Sequence, residues 1–138
     1  MIYVQGYRGT VSENEARDLA SDGIFVVNYL CVGCREHAEY AYNKMKSSFS
    51  KGKNIARKEH LELMLILSGR RQIKEAIALC GVTGARGIVA ISEKEISLEL
   101  DRDDSLISYT PEKARHLGIS EGRCEYFFEN SALLELER

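Results

Sequence analysis

The stretch Leu61-Glu-Leu-Met-Leu-Ile-Leu67, followed by Ser68-Gly69, constrains the fold more than any other part of the chain. As a helix it is apolar around most of its circumference, and such a helix is stable only when other elements surround it. Ile55 to Ser68 is therefore predicted to be a helix running through the core, ended by Gly69 as a left-handed C-terminal cap. A second helix is expected from Arg71 to Leu79, with Ile73, Ala76, Ile77 and Cys80 on one face and Gly81 at its end. The link between them is only about two residues, so they form a tight helical hairpin with Ser68–Arg71 at its tip.

The other segments supply what surrounds this helix. Residues 2–9 alternate weakly and read as a strand. Ser12 with Glu15 fits a capping box that starts a short helix over Glu13 to Ala20, ended by Asp22-Gly23. GIFVVNYLC, residues 23–31, and GIVAIS, residues 87–92, are β-branched apolar runs and read as buried strands. Residues 35–50 place Ala38, Ala41, Tyr42, Met45 and Phe49 at helical spacing. Ser92 with Glu95 offers a second capping box and a helix over 93–100, and LISYT, residues 106–110, reads as a strand. Thr110-Pro111 opens a helix that Gly118 closes. CEYFFENSALLELER is either a helix or a helix followed by an edge strand. The fold class expected is α+β: one domain over residues 1–138, with a small mixed or antiparallel sheet packed against the helical hairpin and further helices.

Charge narrows the function classes. Net charge is −2, which does not suit a protein that coats duplex nucleic acid. The distribution is uneven, with nine Lys or Arg from Lys44 to Lys74 against Glu59 and Glu62, and six acids from Glu93 to Asp104 against Lys94 and Arg102. A local basic face is expected. No apolar run suits a membrane span, and the N-terminus does not read as a secretion signal. On that basis the four cysteines are expected to be reduced thiols in a cytoplasmic protein.

The candidate site is the turn SGRRQIKEAI, residues 68–77. Arg70, Arg71 and Gln72 fall at a helix start, where unpaired N–H groups and the helix dipole already favour anions. Guanidinium groups there bind phosphate oxygens and stack on bases, while Gln72 offers an amide to a base edge. The plainer alternative is a helix start with solvated arginines. Glu62 either faces outward between apolar neighbours or pairs with Arg71 or Arg70.

This segment resembles the TPRKB-type subunit of the KEOPS complex. The likeness runs from Val26 to Gly81: a strand with Asn28 near its end, GCREHAEYA, GKNIA, HLELMLILSG and RQIKEAI, with SALLEL at 131–136 matching again. It covers over half the chain, and nothing is carried over between Glu93 and Asn130. The resemblance implies a non-catalytic subunit that docks on the small atypical kinase of the complex and binds the single-stranded CCA end of tRNA. It would thereby support threonylcarbamoyl-adenosine modification, with no cofactor and no metal of its own. The matched positions are Ser68-Gly69 and Arg71-Gln72-Ile73. Lys53, Asn54, Arg57, Arg70 and Lys74, with Lys51 and Lys58, are expected to add charge and base-reading groups along a short groove. Tyr126, Phe127, Phe128, Leu133, Leu134 and Leu136 are either core or a docking face for the kinase, the last three leucines being the candidate contacts.

Other constellations point elsewhere. Cys31-Val-Gly-Cys34 follows a strand and precedes a helix, the context of a thiol–disulfide redox pair and the best enzymatic alternative. A purely protein–protein adaptor is the other. Zinc would need a second close ligand pair beside Cys31 and Cys34, and Cys80 and Cys124 stand apart. Gly81-Val-Thr-Gly-Ala-Arg-Gly87 follows a helix and precedes a strand, the wrong order for a phosphate loop.

Overall fold

The computed structural model of the chain describes residues 1–136, with side chains as far as residue 134. It is a single α+β domain. Four antiparallel strands, β1 (Tyr3–Arg8), β2 (Phe25–Asn28), β3 (Gly87–Ser92) and the two-residue β4 (Asp101–Arg102), lie in the order β2-β3-β1-β4. Six α-helices accompany them: α1 (Glu13–Ser21), α2 (Arg35–Ser50), α3 (Glu59–Ser68), α4 (Ile73–Cys80), α5 (Pro111–Leu117) and α6 (Glu125–Leu136). Among the described residues no helix is long and apolar enough to cross a membrane.

The neighbouring strands β2 and β3 are largely apolar because both faces of the sheet are covered there. Register aligns Phe25, Ile91 and Val4 in one row, and this row with Val27 and Val89 faces α2 to α6. The alternate residues Val26, Ile88, Ala90 and Tyr7 face the other way, onto Ala16 of α1 and onto Ile96. α3 lies in the larger layer with Leu63, Leu65 and Leu67 fully buried, as its all-round apolar surface requires. The Ser12–Glu15 capping box, the Gly69 and Gly118 left-handed caps and the Pro111 helix start form as expected.

Several boundaries differ, each for a reason visible in the hydrogen bonds or packing. The run 23–31 leaves the sheet after Asn28, whose Oδ1 accepts the Leu30 N–H and opens a 3-10 turn over Tyr29–Cys31. α3 begins at Glu59 instead of Ile55, because residues 54–56 take their partners elsewhere. No helix covers 93–100: the Ser92 hydroxyl accepts the Lys94 N–H but donates to Gly23 O, and Ile96, Leu98 and Leu100 pack onto the sheet at a period of two. Residues 104–107 form a 3-10 turn in place of the expected strand start, with Asp103 accepting the Ser105 N–H. The C-terminal alternative resolves as a continuous helix to Leu136.

Candidate nucleic-acid interface

The tip of the helical hairpin is built by groups from a distant part of the chain. α3 ends at Ser68, so its last carbonyls lack partners within the helix. Gly69, at φ 71°, turns its N–H back to Leu65 O at 2.9 Å. Two residues of α6 supply the rest: Ser131 Oγ donates to Ile66 O at 2.5 Å and Asn130 Nδ2 to Ser68 O at 2.8 Å. A Cβ at Gly69 would stand 2.5 Å from Asn130 Nδ2, so only glycine permits both the left-handed turn and this approach. Ser131 is held from behind. His37 Nδ1 accepts the Gly33 N–H, which leaves the ring hydrogen on Nε2, directed at Ser131 Oγ 3.2 Å away. Burial, and after it the charge of Lys113, lowers the His37 pKa to about 3, so the ring stays neutral in this chain of bonds.

This framework sorts the residues expected at the site. Arg71, Gln72 and Lys74 are exposed on the turn and the first turn of α4, and Gln72, as N-cap, makes no side-chain bond to the helix start. Ile73 is half-buried and packs against the core. Ser68 is buried, and its Oγ accepts the Arg70 N–H. Arg70 departs from the expectation of a displayed cation. Its guanidinium turns into the fold and donates to Leu117 O at 2.9 Å, satisfying the end of α5. Exposed Glu75 follows Lys74, so the displayed charge is modest.

The second basic group stands at the other end of α3, which by helical rise lies roughly 15 Å away. Lys51, Lys53, Arg57 and Lys58 are exposed there. Asn54 is not offered outward as a base reader, since its Nδ2 donates to Ala56 O at 2.7 Å. Glu62, fully buried, accepts the N–H groups of Ile55 and Ala56 on Oε1, both at 2.9 Å. The structure thus brings Arg71, Gln72 and Lys74 together and sets the 51–58 cations apart from them along α3.

The cysteines correct a sequence expectation. They are not reduced thiols: Cys31 bonds to Cys80 and Cys34 to Cys124, with Cα–Cα distances of 5.5 and 6.3 Å. The two members of the C-x-x-C segment therefore have different partners and are not a redox pair with each other. Four consecutive residues instead form a junction. Cys31 ties α4, and Val32 O accepts Lys113 Nζ of α5 at 2.7 Å. Gly33 abuts the Phe127 ring of α6 so closely that a Cβ would overlap it, and Cys34 is linked to the residue before α6. Lys113, buried and also bonded to Leu106 O at 2.6 Å, has its pKa lowered by burial to about 7. The signal that was available for the disulfides is the even cysteine count.

At the C-terminal helix Leu133 is 55% exposed, whereas Leu134 is buried and belongs to the core instead of a docking face. The side chain of Leu136 lies outside the described residues. Phe127 is buried, and Phe128 packs edge-on against Tyr40. The sequence matches no protein-family model and no curated protein.

Proposed function

We propose that this chain is a non-catalytic RNA-binding adaptor of the KEOPS type, which binds the single-stranded CCA end of tRNA on the α3–α4 turn and docks on a small atypical kinase. The observation that carries the reading is the division of labour at the turn. Ser68, Gly69 and Arg70 are committed to holding its shape, while Arg71, Gln72 and Lys74 stand exposed on it. A single-stranded terminus offers unstacked bases and few phosphates, so it needs a short platform of planar cations and amides more than a large positive field. Each base stacked on such a platform contributes about 1–3 kcal/mol. The RQI and SG matches to the KEOPS subunit fall on this same turn. Kinase docking is assigned to the outer face of α6, where Leu133 is exposed.

The test is a gel-shift comparison of intact tRNA with tRNA trimmed of its CCA end. Intact tRNA should bind more tightly, and Arg71→Glu should weaken it by about tenfold or more, equivalent to about 1.4 kcal/mol. Equal binding of the two RNAs would overturn the RNA reading. An unaltered chain that binds the kinase yet leaves tRNA mobility unchanged would be a protein-only adaptor.

A further inference from the structure

The two disulfides differ in where they stand and in what they hold. Cys31 and Cys80 are both fully buried. Cys34 and Cys124 are each partly exposed, and Cys34 lines an open cavity of about 270 Å³ together with Arg35, Glu36, Asp104, Ile107 and Ser108. Thiol–disulfide exchange needs a thiolate to reach a sulfur, so access separates the two bonds. Cys34 is also the residue immediately before the 16-residue α2, where the helix N-terminus stabilises a departing thiolate. Arg35 stands beside Glu36 at the cavity and Asp104 is paired with Arg102, so charge does not bar a neutral reagent.

Cys124 immediately precedes α6, the helix that carries Asn130 and Ser131 onto the end of α3 and Phe127 onto Gly33. We propose that Cys34–Cys124 is a thiol-reducible latch on α6 whose opening loosens the α3–α4 turn while Cys31–Cys80 stays intact. Its regulatory meaning rests on the reading of that turn as an RNA site; the latch itself does not. With a neutral dithiol the step balances. One thiolate attacks Cys124 Sγ, the S–S bond breaks, and Cys34 leaves as thiolate. The second thiol of the reagent then displaces Cys124, closing a cyclic disulfide. The protein gains two electrons and two protons, and the reagent loses them.

The experiment titrates the full chain with dithiothreitol, quenches by alkylation and maps the disulfides by mass spectrometry, with amide hydrogen exchange at each concentration. At a fixed short time after reagent is added, Cys34–Cys124 should be half-reduced at about tenfold less reagent than Cys31–Cys80, by its accessibility. At that point exchange over residues 125–131 and 68–71 should accelerate about tenfold, reflecting local opening. Reduction of both bonds together, or loss of Cys34–Cys124 with unchanged exchange, would overturn the latch. The double variant Cys34→Ser/Cys124→Ser should show the fast exchange without reagent; should it fail to fold, the wild-type titration still decides. A tRNA arm separates the two readings. Weaker tRNA binding on opening supports the regulation, and equal binding in both states overturns it. Faster exchange in a chain that binds tRNA in neither state supports the latch and overturns the RNA reading.

Discussion

The two ends of α3 are fastened to their surroundings by different means. Each presents backbone groups that the helix cannot pair for itself, and each lies beside a cluster of cations. At the N-terminal end the fastening is local: Glu62, within the first turn, reaches back to the Ile55 and Ala56 N–H groups of the loop that leads into the helix, and Asn54 spans two residues to Ala56 O. At the C-terminal end it is remote, because the groups that close the helix belong to Asn130, Ser131 and, behind them, His37. A local closure stands or falls with its own segment. A remote one makes the shape of a surface turn depend on how the last helix is seated.

Three measurements press on this contrast. The largest effect is expected from Glu62→Ala, which leaves two N–H groups without their acceptor; urea unfolding should show a loss of about 3 kcal/mol, and Glu62→Gln a smaller one. Hydrogen exchange in Glu62→Ala should quicken over residues 54–62 and not in α6. Next, Ser131→Ala strands both the His37 Nε2–H and Ile66 O, at about 2 kcal/mol. Here exchange should quicken at both the α3 terminus and α6, and a response confined to α6 would show that the two are not coupled. The smallest effect, taken per pH unit, is a pH dependence. His37 is neutral in the fold with a pKa of about 3, below its ordinary 6.5, so between those values the unfolded chain binds more protons. Stability is therefore full above pH 6.5 and falls as pH drops through that window, by at most about 1.4 kcal/mol per unit. Lys113, lowered from 10.5 to about 7, acts in the opposite half of the scale, while His60, also lowered by burial, adds to the acid slope, so the His37 share is read from the variant. Urea midpoints at pH 7, 5.5 and 4 should converge for wild type and His37→Asn as pH falls, and parallel slopes would remove His37 from the account.

The same contrast explains what the sequence reveals. Local devices were legible: the all-round apolar α3, the Gly69 cap, the Ser12–Glu15 box and the apolar run of β3 are each set by a few neighbouring residues. Some local patterns failed because a distant partner had taken the group they relied on. Ser92-x-x-Glu95 has the spacing of a capping box, yet Gly23 O claims the hydroxyl hydrogen and the following leucines follow the sheet. Arg70 and Arg71 are chemically identical neighbours, yet Arg70 reaches Leu117 O while Arg71 lies at the surface of the turn, a difference that depends on where α5 ends. The disulfide pairings join residues 49 and 90 positions apart, a choice made by the packing of α4 and α6 that spacing alone does not encode.

The Cys31–Cys34 junction has a practical side for anyone who alters this molecule. Four successive positions there grip three helices, so lengthening the segment by even one residue would put every attachment out of step at once. Gly84 is the opposite extreme: exposed, in a left-handed turn between α4 and β3, with nothing within 4 Å of where a side chain would begin. A fluorophore or affinity tag grafted at that loop would follow the domain without disturbing the grip.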